Sequence, residues 1–292
     1  MLSLLPLALL AGFVTDTVTY GSDPKQIVDV VRPDIVDSDD QPLRPVVVFL
    51  HGGVWQFGDR LQHRHVGNAF AAQGFVAVVA SYRLAPAHRW PAAIEDAASI
   101  VALVKNKAPS WGGDPGRIVL VGHSAGGQLA SLLVLDEQWL KAKQIDKKSI
   151  AAVVAISGVF DLRAALDGGQ HDGGFSRFIA PVFGADTKTL RAASPIDQQQ
   201  PFGRPVLLVT STNDYAAMRA QTEAMARAVR LRGETAQVVV VKDRDHDSMV
   251  EQLGRPGDPL TAEIARFVRR ALLSSASATP AATTPPSSTK RP

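Results

Sequence analysis

The 292-residue chain has no cysteine. That excludes disulfides, thiol nucleophiles and thiolate metal sites, and it leaves the redox compartment undecided. Net charge is also scarce. Of the formal +3, Lys290 and Arg291 supply two, and residues 274–292 contain no Asp or Glu, so the rest carries about +1. The pI of about 9.3 comes without a basic stripe interleaved with aromatics, which excludes a nucleic-acid partner. Internal repeats are absent. The apolar run Leu2–Val14 is shorter than the roughly 20 residues of an ordinary membrane span. Membrane contact is therefore confined to residues 2–14, and nothing in the sequence sets an oligomeric state.

What is present is ample apolar material. With 46% hydrophobic residues, the chain can bury a large core, and one α/β domain fits its length better than two small ones. Residues 1–14 form an apolar N-terminal segment. It resembles a signal-peptide core, but no Lys or Arg precedes it and no good A-x-A site follows. Leu9-Leu10-Ala11-Gly12 resembles the approach to a lipoprotein cleavage site, yet Phe13 stands where the lipidated cysteine would be. The alternative is an arm that packs on the domain. Export and a cytoplasmic location both stay open.

The domain proper spans residues 15–273. Val14–Tyr20 and Gln26–Val31 read as an edge hairpin around Gly21-Ser22-Asp23-Pro24. Val46–Leu50, Val76–Ala80, Ile118–Val121, Ala152–Ile156, Val206–Thr210 and Gln237–Val241 are short apolar runs, read as strands buried on both faces. Between them lie helical patterns. Val66, Ala69 and Phe70 precede the stop at Gly74. Ile94, Ala97, Ala98, Val101 and Val104 follow Pro91, read as a first helical residue. Another helix covers Tyr215–Arg232, and a last one opens at Asp258-Pro259 and buries Leu260, Ile264, Phe267, Val268, Ala271 and Leu272. Gly112–Pro115 reads as a turn, and Lys141–Lys148 as a solvated loop. Residues 162–204 have no sustained period and read as a small cap with one short helix near Phe175–Val182. From Ser274 the chain is Ser, Thr, Ala and Pro, a disordered tail. The alternation predicts an α/β fold: a mostly parallel central sheet with helices on both faces, and chemistry at the carboxyl ends of the strands.

Chemistry concentrates at Gly122-His123-Ser124-Ala125-Gly126, a G-x-S-x-G between a strand and a helix. In that context the sharp turn pushes Ser124 out as a nucleophile. Acyl transfer by serine also needs a base, a group to orient it, and oxyanion donors. Among the seven histidines, His63 and His65 precede a helix, and His88 follows Pro86. His171 lies in the cap, and His51 and His123 adjoin glycine loops. His246 follows the last strand and is the candidate base. Asp214, after Val206–Thr210, is the candidate orienting acid, with Asp161 as its alternative. Asp245 and Asp247 are too near His246 in sequence. Gly52-Gly53 after the strand ending at Leu50 lets backbone approach a substrate. The N–H groups of Gly53 and Val54, with that of Ala125, are the candidate oxyanion donors.

His51-Gly52-Gly53-Val54-Trp55, Tyr82-Arg83-Leu84-Ala85-Pro86, Gly122–Gly127, Asp214 and Asp245-His246-Asp247-Ser248 resemble the α/β-hydrolase esterases. The likeness covers about residues 15–273, and its nearest branch is the kynurenine formamidase-like and feruloyl-esterase-like group with an HGG-x-W loop. Val54 stands where lipase-like relatives have a third glycine. The resemblance implies an α/β-hydrolase fold, a small-molecule ester or amide substrate, no cofactor and no metal. It implies a serine carboxylic-ester hydrolase for short-chain or small aromatic esters, with N-formyl amide cleavage as the alternative. A catalytically inactive binding module is the reading from another class. Serine rather than aspartate at position 124 excludes dehalogenase or epoxide-hydrolase chemistry.

Overall fold

The computed structural model describes residues 12–34, 42–167 and 174–276. The apolar residues 1–11 and the Ser/Thr/Pro tail from residue 277 lie outside the described residues, and so does His171. Eight strands form one sheet in the order β1-β2-β4-β3-β5-β6-β7-β8. β1 (Phe13–Thr19) and β2 (Ile27–Pro33) pair antiparallel, and β2 joins β4 (Val76–Ala80) antiparallel. β3 (Arg44–Leu50), β4, β5 (Gly113–His123), β6 (Ile150–Ile156), β7 (Val206–Ser211) and β8 (Ala236–Val241) run parallel. The edge hairpin is held by a buried carboxylate, Asp29, which accepts from Thr17 Oγ1 at 2.8 Å, Arg60 at 2.9 Å and Arg64 at 3.1 Å.

Two apolar layers sandwich the sheet because β3 to β7 bury side chains on both faces. One layer packs under α1 (Arg64–Ala72), the short α9 (Ser248–Glu251) and α10 (Pro259–Ala276). The other packs under α2 (Ala92–Lys107), α3 (Ala125–Leu135), the single turn α4 (Gln138–Lys141) and α8 (Ala216–Leu231). The cap inserted between β6 and β7 joins that second layer.

Several boundaries differ from the sequence reading. β1 starts at Phe13, one residue ahead of the strand read from Val14, and so takes the end of the apolar N-terminal segment. Of the Gly112–Pro115 turn only Gly112, at φ +72°, turns the chain. Gly113 and Asp114 already pair with Arg44 and Pro45, and a register shift follows before Val46. Pro91 caps α2 rather than opening it. Lys141 closes α4 and Lys147–Ser149 form a 3-10 turn, while the Lys141–Lys148 connection is exposed apart from Ile145 and half-buried Lys147, as a solvated loop would be. Among its described residues the cap holds three α-helices, α5 (Leu162–Asp167), α6 (Ile179–Phe183) and α7 (Thr187–Ala193), and not one. Each has at most seven residues, too few to print a helical period on the sequence. α10 continues to Ala276, past the point where composition turns polar.

The tightest packing lies where β5 turns into α3. A Cβ on Gly122 would stand 2.1 Å from the Gly126 carbonyl oxygen, and one on Gly126 would stand 2.0 Å from the Leu50 carbonyl oxygen. Both obstacles are backbone and cannot swing aside. Gly126→Ala should therefore cost at least about 3 kcal/mol or prevent folding, measured by urea unfolding, because overpacking against fixed backbone has no local relief.

Candidate active site

Ser124 sits at the end of β5 with φ 53° and ψ −116°, a conformation that side chains other than glycine seldom adopt. Its N–H donates to the Ile156 carbonyl at 2.8 Å, which pins the turn to the neighbouring strand β6. α3 begins at the next residue, so its free N–H groups and the positive end of its dipole lie beside the hydroxyl.

Asp214 and His246 reach the same rim from the ends of β7 and β8. His246 Nδ1 donates to Asp214 Oδ1 at 2.8 Å, and the Asp214 side chain is fully buried. Asp214 Oδ1 also accepts from the Tyr215 N–H at 2.9 Å, and Oδ2 from Thr210 Oγ1 at 3.3 Å. Burial alone would raise this carboxyl. The hydrogen bond and charge of His246, aided by the Tyr215 N–H, outweigh it and hold the group below the ordinary carboxylate range. The two loops are laced together. The Arg244 carbonyl accepts from Ser211 Oγ at 2.7 Å and from the Asn213 N–H at 3.2 Å, and Arg244 itself pairs with buried Asp258 at 2.7 Å.

The alternative acid, Asp161, is otherwise engaged. Its Oδ1 caps the first turn of α5, accepting from the N–H groups of Arg163 at 3.0 Å and Ala164 at 3.1 Å. Asp245 Oδ1 likewise accepts from the Ser248 N–H at 2.8 Å.

Gly53, Val54 and Trp55 follow β3 with φ of +110°, +50° and +58°. The Gly53 carbonyl accepts from the N–H groups of Gln56 at 3.0 Å and Phe57 at 2.8 Å, so the chain curls over itself. The N–H groups of Gly53 and Val54 donate to no protein acceptor among the described residues. Gly52 must lack a side chain: a Cβ there would meet His123 Nδ1 at 2.8 Å and Ser124 Cβ at 3.1 Å. A cavity of about 210 Å³ brings these parts together, lined by Gly53, Val54, Ser124 and His246 and closed by Phe175 and Phe178 of the cap.

Some neighbours of the site have no role assigned from the sequence, although His123 and Tyr82 stand inside the motifs quoted there. His123 Nε2 donates to the His246 carbonyl at 2.9 Å, so the residue before Ser124 braces the loop that carries His246. Tyr215 lies 5.1 Å from the His246 ring, centroid to centroid. Tyr82 stacks on His51 at 4.3 Å and donates to its carbonyl at 2.8 Å, steadying the end of β3. Other histidines have structural partners: His65 bonds the Val250 carbonyl at 3.0 Å, and His88 meets Asp23 at 2.9 Å.

A family model described as the alpha/beta hydrolase fold matches residues 47–250. Esterase LipC of Mycobacterium tuberculosis is 31% identical over 223 residues, covering 73% of this chain and 54% of LipC. A probable isoprenylcysteine alpha-carbonyl methylesterase of Oryza sativa subsp. japonica is 29% identical over 260 residues, covering 85% and 59%. The chain thus spans somewhat more than half the length of these relatives. Among solved structures, esterase B from Lactobacillus rhamnosis superposes with a TM-score of 0.79 at 19% identity, covering 92% of this chain and 89% of that one. Carboxyl esterase 2 of Tuber melanosporum gives 0.70 at 22%, covering 89% and 87%. At these identities the structures speak for the fold.

Buried His51 and His123 and half-buried His63 set an acid limit. Burial pushes His51 down to about 4 and His63 to about 3, and it also holds His123 well below the imidazole range. An unfolded histidine titrates near about 6.5. As the pH falls through 6.5 towards 4, the unfolded chain takes up protons that the fold refuses. Stability therefore drops through that window, and each contribution levels off below the folded value. His63→Gln should reduce the slope of unfolding free energy between pH 6 and 4 by about 1 kcal/mol per pH unit, read by urea titrations. An unchanged slope would contradict a neutral, half-buried His63.

Proposed function

The chain belongs to the α/β-hydrolase fold family, whose match spans residues 47–250, and from that premise we propose that it is a serine carboxylic-ester hydrolase. Its substrates are short-chain or small aromatic esters, cleaved through an acyl-enzyme. The observation that carries this reading is the sharing of one small cavity by strained Ser124 and by a His246 that is already bonded to buried Asp214. The esterase and methylesterase names of the relatives support it.

In this reading Ser124 Oγ attacks the ester carbonyl carbon. His246 Nε2 takes the hydroxyl proton, because Nδ1 is committed to Asp214. Charge develops on the carbonyl oxygen and is received by the N–H groups of Gly53, Val54 and Ala125, each contributing about 3 kcal/mol to the transition state. The C–O bond to the alcohol breaks, and the leaving alkoxide receives the proton from His246. Water, deprotonated by His246, then attacks the acyl-enzyme and releases the acid, restoring Ser124. Asp214 stays ionised throughout and stabilises the imidazolium.

The cavity of about 210 Å³ favours small acyl groups. The same compactness supports a second reading in which the carbonyl is an N-formyl amide, whose acyl part has no chain at all. A non-catalytic binding module has less support, because it would gain nothing from the backbone strain at Ser124.

Ser124→Ala should abolish turnover of p-nitrophenyl acetate and labelling by a fluorophosphonate, while circular dichroism and the melting temperature stay close to the parent. Persistent labelling would overturn the assignment. Asp214→Asn should lower kcat about 10⁴-fold without unfolding the protein, since the amide leaves His246 in the wrong tautomer. A loss under tenfold would remove Asp214 from this role.

A further inference from the structure

α3, Ala-Gly-Gly-Gln-Leu-Ala-Ser-Leu-Leu-Val-Leu, is buried along its whole length, and Gln128 is its one long polar side chain. A buried amide costs several kcal/mol if left unpaired. Here both halves are paired: Oε1 accepts from the Trp55 indole Nε1 at 3.0 Å, and Nε2 donates to the Ala193 carbonyl at 2.7 Å. A single side chain thus joins three segments: the nucleophile's helix, the Gly53–Trp55 loop and the end of cap helix α7.

Trp55 is where that loop is anchored. Three successive residues from Gly53 to Trp55 hold positive φ, a path the backbone does not keep unaided. The indole is 1% exposed, stands edge-on to Phe183 of α6 at 4.8 Å, and lies 6.4 Å from Phe175. The Trp55 carbonyl accepts from the Ala85 N–H at 2.9 Å, and Gln56 Nε2 donates to the Phe178 carbonyl at 3.1 Å. Phe175 and Phe178 are walls of the cavity at Ser124. The loop is therefore tied to the cap at Phe175, Phe178 and Phe183.

We propose that Gln128 is a positioning residue. By fixing the Trp55 indole it sets the aim of the Gly53 and Val54 N–H groups, and it ties that aim to the cap wall against which the acyl group rests. This rests on the serine-hydrolase reading of Ser124. It predicts that breaking the link lowers kcat and leaves substrate binding almost untouched, since donors displaced by a fraction of an ångström fail the transition state first.

The test compares Gln128→Met, which keeps volume and removes both hydrogen bonds, with Trp55→Phe and with the double variant, using p-nitrophenyl acetate. Each single variant should lower kcat about 30-fold with KM within about twofold of the parent. The double variant should be within about twofold of either single, because both remove the same link. Leu133→Ala on the same helix should lower the melting temperature and leave kcat within about twofold. If Gln128→Met does not fold, Trp55→Phe reports the same link alone. Unchanged kcat in the folded variants, or losses that multiply in the double variant, would overturn the positioning role. With Ser124→Ala inactive, that result would leave the hydrolase reading standing. An active Ser124→Ala would instead remove the reading on which the proposal rests.

Discussion

Gly126 lies so close to the end of β3 that its missing Cβ would fall 2.0 Å from the Leu50 carbonyl oxygen and 2.6 Å from that of His51. Leu50 and Gly122 are register partners, so β3 and β5 leave the sheet side by side and their loops are neighbours by construction. This contact dictates the rest of the rim. It forces Ser124 into a backbone conformation that points the hydroxyl away from the sheet, and it sets α3 with its first N–H groups beside that hydroxyl. It also brings the Gly53 turn within reach of the same oxygen-binding space.

Around this rim the charges are sorted by what can compensate them. Asp214 keeps its negative charge in full burial because His246, Thr210 and a backbone N–H all donate to it. At His51 and His63 burial outweighs the nearby charge of Asp59, and at His123 it acts with the neighbouring histidines, so all three are kept neutral. A neutral His123 can still donate one hydrogen bond, and it spends it on the carbonyl of His246. The His246 imidazole is thus held by an anion on its ring and by an uncharged neighbour on its backbone. Such a division limits competing positive charge near the base.

Much of this was legible in the sequence, and the reasons are local. Buried parallel strands announce themselves as runs such as Val46–Leu50 and Val76–Ala80, because both faces need apolar residues. The elbow was legible because only glycine fits at positions 122 and 126. Asp214 and His246 followed from strand order, since each stands just after a strand. What stayed hidden has partners distant in sequence. Gln128 looks like an ordinary helix residue until Trp55 and Ala193 are beside it, 73 and 65 positions away. The bracing role of His123 depends on a carbonyl 123 positions later. The cap helices escaped because five to seven residues cannot display a period, and the start of β5 because Gly113-Asp114-Pro115 has turn composition while pairing with β3.

The cap enters and leaves the sheet between two adjacent strands, so in principle it is an exchangeable part. The amide of Gln128 restricts that freedom. Whatever segment replaced α5 to α7 would have to present a carbonyl oxygen where Ala193 now does, or leave a hydrogen-bond donor stranded in the core. Chimeras that ignore this one atom would lose the bond that joins α3 to the end of α7. Grafts that respect it could vary the pocket while the chemistry stays in register.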